Sequence, residues 1–134
     1  YGERARRARA VDGELARALE TARGVRALDP DRPRLSSAER TRRTRALLEV
    51  VERETARCAA QRPADAAVAG ALAAVQTSRA RLGRPPAPRD AAARDEALDG
   101  AAAALEPVRA CGEPATPEGH AAVLVLSRRR TAGG

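Results

Sequence analysis

The chain has 134 residues, and this length predicts one domain, residues 1–134, with little left for a second. It contains 34 Ala and 25 Arg but no Lys, Ile, Asn, Phe, Met or Trp. This bias is typical of a GC-rich genome, which by itself enriches Arg. The net charge of +7 is therefore only partial support for an anionic partner. No apolar run approaches the length of about 18 residues that suggests a membrane-spanning helix. Its 12 Leu and 9 Val predict a thin core that benefits from a crosslink or a partner.

Pro and Gly separate the chain into five segments whose apolar residues recur at helical spacing. In the first segment the steps are three and four residues, which predicts an apolar stripe on the inward face of a helix. The stripe contains Ala8, Val11, Leu15, Ala18, Ala22 and Val25. Helices are predicted over residues 3–28, 36–61, 65–82, 90–111 and 117–130.

The second segment opens with SSAE, in which Ser36 and Glu39 have the spacing of a capping box. A hydroxyl and a carboxylate at this spacing satisfy backbone N–H groups of the first turn, so a helix is predicted to begin here. The helix is predicted to stop before Pro63, with Cys58 facing inward in its last turn. Its inward stripe consists of Thr44, Leu48, Val51, Thr55 and Cys58, with Leu47 and Val50 beside it.

The third and fourth segments are rich in alanine and differ in how they end. Gly83, followed by two prolines, is a strong stop for the third. Asp90 is a good N-cap for the fourth, in which Pro107 lacks an N–H and is predicted to kink the helix or to end it near Leu105. The third segment places Val68, Leu72, Val75 and Leu82 on one face, and the fourth places Ala97, Ala101, Ala104, Val108 and Cys111.

The fifth segment begins with TPEG, in which Thr116 is suited to cap a helix and Pro117 to occupy its first position. The apolar run Val123 to Leu126 is also compatible with a strand. We favour a short helix because the chain offers no second strand with which this run would pair.

Long helices joined by short connections are typical of a bundle, so the sequence predicts an all-α fold. We expect an up-down bundle of four long helices, with a short fifth helix at the C-terminus packed on it. In such a bundle the second and fourth helices run parallel, and their C-terminal ends lie at the same end of the molecule.

Cys58 and Cys111, the two cysteines of the chain, both fall in those last turns. A disulfide between them is one interpretation, and loop closure would then stabilise the fold by about 4 kcal/mol. Helices two and four are diagonal in a square bundle, however, whereas a disulfide needs Cα atoms within about 7 Å. A three-helix arrangement of segments two to four removes this difficulty. Two buried free thiols, or a reactive or metal-binding pair, are the alternatives.

The remaining polar residues do not form a recognisable catalytic, cofactor-binding or metal site. His120 is the one histidine, and with the two cysteines it gives three ligands where structural zinc takes four. We expect it to be an ordinary surface or boundary residue. Asp29 and Asp31 lack the further oxygen ligands of a calcium loop and are better explained by a turn. The sequence therefore predicts a non-enzymatic protein without a cofactor.

Positive charge is concentrated in residues 1–62, which carry net +6, whereas residues 63–113 carry −1 and the remainder +2. Arg-rich runs occupy residues 4–9, 40–45 and 128–130. In the predicted bundle the last run returns to the end that carries the second, giving a candidate basic surface for phosphates or an acidic partner. The alternative is a solvated face on which acids balance the arginines. The surface would consist of Arg40, Arg42, Arg43, Arg45, Arg128, Arg129 and Arg130.

The preferred function is a helical interaction or scaffold module that binds another protein or a second copy of the chain. We expect it to belong to a larger or membrane-anchored assembly, because a chain that begins with Tyr1 rather than Met has lost a signal peptide, an anchor or further sequence. An extracytoplasmic location follows if the cysteines are bonded. The second hypothesis is a cytoplasmic protein that binds nucleic acid through phosphate contacts, although the chain lacks aromatic residues for stacking on bases.

Overall fold

The computed structural model describes residues 2–28, 35–83 and 91–133, with side chains described over 13–28, 35–83 and 91–129. Within these ranges the chain forms five α-helices and no strand, which confirms the all-α class. The run Val123 to Leu126 is helical, as we favoured. The elements are α1 (Gly2–Arg26), α2 (Ser37–Gln61), α3 (Ala66–Gly83), α4 (Ala91–Val108), a 3-10 turn (Arg109–Cys111) and α5 (Pro117–Gly133).

Side-chain caps begin three of the helices. At α2 the Ser36 hydroxyl accepts a hydrogen bond from the Glu39 N–H at 3.1 Å, as predicted. At α5 the Thr116 hydroxyl accepts one from the Gly119 N–H, also at 3.1 Å. At α3 the Asp65 carboxylate accepts from the N–H groups of the second and third helical residues, at 3.0 and 3.3 Å. Each cap satisfies donors that the first turn leaves without a helical partner.

Helix α4 continues through Pro107, past the end near Leu105 that was one expected effect of the proline, and ends at Val108, three residues short of the predicted bound at Cys111. The chain then tightens into the 3-10 turn, which brings Cys111 to the end of the helix. Gly112 follows with a φ of 86°, a backbone conformation that is strained for residues other than glycine. The α-helix therefore ends one residue after the proline, and the chain continues for one turn as a 3-10 helix.

Hydrogen bonds show which helix ends lie together at one end of the molecule. Arg45, near the start of α2, donates to the Leu82 carbonyl at the end of α3. Arg94, in the first turn of α4, donates to Ser37 in the first turn of α2. This end therefore contains the first turns of α2 and α4 and the last turn of α3. The last turns of α1 and α5 lie there too, since Leu28 and Arg129 line a cavity with Arg94.

The packing of the helices differs from the predicted bundle of four long helices, which is not confirmed. Helices α2, α3 and α4 all contact one another, while α1 packs mainly on α5 and both of these contact α2. The result is a three-helix group covered by an α1–α5 pair. Helix α5 is also not distinctly short, because it has 17 residues against 18 in α3 and in α4.

The core is built around α2, whose predicted inward stripe, from Thr44 to Cys58, is entirely buried. The two threonine hydroxyls on this stripe donate to carbonyls one turn earlier, at 2.6 Å each, so they need no partner in the core. Alanines of α4 and α5 pack against the stripe, and their small size allows the helices to approach closely. The apolar core therefore depends on few large side chains, as the composition predicts.

The stripe of α1 is only partly inward. Ala22 and Val25 are buried as predicted, at 5% and 0% exposure. Leu15, predicted to be inward, is 51% exposed, and Leu19 one turn later is 45% exposed. The prediction for Leu15 is therefore wrong, because among the described side chains of this stripe only Ala22 and Val25 are packed in the core. Among the described residues no helix combines the length and the hydropathy needed to cross a membrane.

Candidate functional site

A disulfide joins the last turn of α2 to the 3-10 turn after α4. The sulfur atoms of Cys58 and Cys111 are 2.11 Å apart and the Cα atoms 5.7 Å apart. The direct contact of α2 with α4 removes the difficulty that a square bundle would pose. Of the alternatives that the sequence left open, the disulfide is the one present.

The disulfide crosslinks an end of the molecule where the core is small. Cys58 is fully buried and packs with Val68 of α3 and Val108 of α4 in a cluster separate from the main core. The Cys58 carbonyl accepts the N–H of Arg62 at 2.9 Å, which closes the C-terminus of α2. Because the bond spans 53 positions in sequence, loop closure gives it a stabilising effect of about 4 kcal/mol.

Other residues considered as ligands or nucleophiles do not assemble in the described part of the chain. His120 is exposed on α5, in line with a surface role. Within the described ranges no three side chains among His, Cys, Asp and Glu are grouped to hold a metal ion. Asp29 and Asp31 lie outside the described residues, as do the side chains of the Arg-rich run at 4–9.

Several arginines of the predicted basic surface are engaged within the fold. Arg42 and Arg43 both pair with Glu39, at 3.1 and 3.2 Å. Arg43 also donates to the Gly24 carbonyl of α1 at 3.2 Å. Arg45 donates twice to the Leu82 carbonyl, at 2.9 and 2.6 Å, and so occupies an acceptor at the C-terminus of α3. These three side chains therefore connect helices or balance an acid.

The C-terminal arginines are divided in the same way. Arg129 pairs with Asp95 and Asp99 of α4, at 3.2 and 3.1 Å. Arg128 is exposed, and Arg130 belongs to α5 with its side chain outside the described part of the chain. Arg40 and Arg129, two of the arginines of the predicted surface, line one cavity.

Arg94 is the residue of this region that sequence reasoning missed. It is 8% exposed, and its Nη1 donates to the hydroxyls of Ser37 and Thr41 at 2.8 and 3.2 Å. Among the described residues no carboxylate lies within ion-pair distance of it. A signal was available, because position 94 precedes Ala97 by three residues and so extends the inward stripe of α4.

The cavity beside Arg94 has a volume of about 310 Å³ and opens to solvent. It lies between the first two turns of α2 and of α4, the C-terminal half of α5, and Leu28, which follows α1. Three arginines and one carboxylate, Asp95, line it among apolar side chains. The lining residues are Leu28, Arg40, Thr44, Ala91, Arg94, Asp95, Leu98, Val125 and Arg129.

A second, more apolar cleft of about 170 Å³ lies between α4 and α5 over α2. Leu105, Val123 and Leu126 supply its apolar surface, while Glu106 and Glu113 lie at its edge. Nothing in its charges or contacts indicates what would occupy it.

Two groups have pKa values displaced by their surroundings. Hydrogen bonds from the Val68 and Ala67 N–H groups and from Arg62 hold the pKa of Asp65 below its usual value, which suits its role as a cap. The carboxylate of Glu52 accepts a hydrogen bond from Arg79 and, with the charge of Glu49, raises the pKa of that guanidinium. Both groups are at the surface, and both displacements reflect structural contacts between or within helices.

Comparison with models of protein families, with curated proteins and with solved structures finds no match to this chain.

Proposed function

We propose that this chain is a non-enzymatic helical interaction module that associates with a second copy of itself along α1. The observation that carries the proposal is the loss of burial along the α1 stripe, from Val25 at 0% to Leu15 at 51%. A chain with so few large aliphatic residues places two of them, Leu15 and Leu19, one turn apart in solvent. A partner helix would bury them.

Burial along the described part of α1 falls toward its N-terminus. Helix α1 packs mainly on α5, and Ala22 and Val25 are buried there, at 5% and 0% exposure. Leu19 and Leu15, which come earlier in the helix, are 45% and 51% exposed. These two leucines are therefore available to a partner helix.

The charges around these leucines favour a second copy as the partner. Although residues 1–62 carry net +6, the exposed charges beside Leu15 and Leu19 alternate in sign and sum to zero. Two copies that pack antiparallel along this face would place acidic side chains of one beside arginines of the other. Elsewhere on the surface, the net charge of +7 would make two copies repel each other. The alternating residues are Glu14, Arg17, Glu20 and Arg23.

The disulfide supports an oxidising compartment, and we extend the proposal to an extracytoplasmic module that is part of a larger or anchored assembly. Protein isolated from its native source and alkylated without reductant should then keep its mass, because Cys58 and Cys111 are bonded. Modification of both cysteines under these conditions, without unfolding, would remove the support for that location.

Sedimentation velocity over a range of protein concentrations tests self-association. Exchanging both leucines for a helix-forming polar residue, Leu15→Gln with Leu19→Gln, should raise the dissociation constant at least tenfold. Re-exposing half of each leucine costs about 1 kcal/mol, and a dimer contains four of them. Leu124→Gln is the matched control, because Leu124 is 45% exposed on α5 and its loss should leave association unchanged. A chain that stays monomeric, or two variants with equal effects, would contradict the proposal.

Nucleic-acid binding remains the second proposed function and has less support. Arg43, Arg45 and Arg129 are engaged in contacts between helices, so fewer cations are available to phosphates than the sequence suggests. Its signature would be an affinity for DNA or RNA that falls steeply with added salt.

A further inference from the structure

We propose that the cavity beside Arg94 is a binding site for a small oxyanion of the phosphate class. The proposal is independent of self-association, because Leu15 and Leu19 do not line this cavity. It begins from the placement of one buried cation.

The buried guanidinium of Arg94 has no carboxylate within ion-pair distance among the described residues. Its charge lies in the first turn of α4, and it reaches the first turn of α2 through Ser37. The N-terminus of a helix carries partial positive charge, so a cation at two such ends is repelled by both. A guanidinium that is nine-tenths buried also loses most of its hydration. Its neighbours at hydrogen-bond distance are the hydroxyls of Ser37 and Thr41 and a backbone carbonyl, all uncharged.

The cavity offers the means of compensation. Arg40 of α2 and Arg129 of α5 line it beside Arg94 of α4, so three helices each contribute an arginine to its lining. Its volume of about 310 Å³ admits a tetrahedral oxyanion with ordered water. Guanidinium groups bind phosphate oxygens through paired, charge-assisted hydrogen bonds. The hydroxyl of Thr44 is satisfied by the Arg40 carbonyl, and Arg129 is already paired with Asp95 and Asp99, so recognition depends mainly on Arg94.

Asp95 provides a test of anion binding, because its negative charge lies at the cavity and opposes an entering anion. It lines the cavity and pairs with Arg129 at 3.2 Å, so an entering anion meets one carboxylate. Removing that charge should strengthen anion binding, whereas damage to the fold would weaken it. The direction of the effect therefore separates a binding site from a structural ion pair.

The test is a titration of the whole chain with sodium phosphate at constant ionic strength, followed by amide chemical shifts in NMR spectra. Saturable shifts are expected around Thr44, Ala91, Leu98 and Val125. Arg94→Gln should weaken binding at least tenfold, and Asp95→Asn should strengthen it severalfold. Arg81→Gln is the control, since Arg81 is an exposed arginine of α3 whose nearest carboxylate is 3.9 Å away, and it should bind as the unmodified chain does.

A parallel titration with O-phosphoserine distinguishes free phosphate from a phosphate ester, because tighter binding of the ester would assign the site to a phosphorylated molecule. Shifts spread evenly over surface arginines would overturn the proposal. So would unchanged binding in Arg94→Gln, or weaker binding in Asp95→Asn.

Discussion

Gly119 lies where a side chain would have no room. A Cβ atom at this position would be 2.8 Å from Oε1 of Glu54, and 2.9 Å from both the Cβ of Pro114 and the hydroxyl of Thr116. Glu54 is buried, and its carboxylate is held by Arg57 at 2.6 Å and by Thr116 at 3.2 Å. The close approach of α5 to α2 at this point therefore requires glycine.

Gly119→Ala should lower the free energy of unfolding by about 1–3 kcal/mol, since the carboxylate and the cap must shift to admit a methyl group. Gly70→Ala is the opposite case, because a Cβ at this exposed position of α3 meets nothing within 4 Å. It should raise the free energy of unfolding by up to about 1 kcal/mol through helix propensity. Urea denaturation measures both changes, and two variants that move in the same direction would contradict the packing described here.

Arg94 and Leu15 show why single residues were harder to predict than helices. Both lie on stripes that read as inward from spacing alone. Whether a stripe is covered depends on where the neighbouring helices pack, and Leu15 is 51% exposed although Val25 on the same stripe is fully buried. Whether a buried position tolerates Arg depends on hydroxyls that another helix supplies, here from Ser37 and Thr41. Neither fact is encoded in the local sequence.

At the scale of the helices, the sequence was sufficient to predict the elements. The predicted bounds agree with the structure within three residues at every described end, because caps such as Ser36 and Thr116 and stops such as Pro63 act locally. The pairing of α1 with α5 could not be predicted in this way. Several arrangements of five amphipathic helices satisfy the same stripes, and the choice among them depends on packing across the whole core.

The disulfide is the clearest link between two elements, and its reduction should destabilise the fold. We expect the free energy of unfolding to fall by about 2–5 kcal/mol, because the small cluster of Cys58, Val68 and Val108 is separate from the main core. Urea denaturation followed by circular dichroism, with and without reductant, measures the change. The double variant Cys58→Ser, Cys111→Ser is the control, and its free energy of unfolding should be the same with and without reductant. Equal midpoints for the oxidised and reduced chain would show that packing alone holds this end together.

At the scale of the whole molecule, the two ends and the flank of the fold have different properties. One end is crosslinked by the disulfide, the other carries the arginine-lined cavity, and α1 presents Leu15 and Leu19 along the flank. Self-association through Leu15 and Leu19 would leave the cavity open, because neither leucine lines it and most of its lining comes from α2, α4 and α5. An assembly of copies would therefore present one anion site for each chain.

Hydrogen exchange of backbone amides, measured at low and high protein concentration, tests the central claim of self-association along α1 most directly, since it locates the interface. Protection of the amides around Leu15 and Leu19 should rise with concentration, while that around Leu124 on α5 should stay constant. Protection that is independent of concentration, or that rises along the cleft between α4 and α5 instead, would contradict the account.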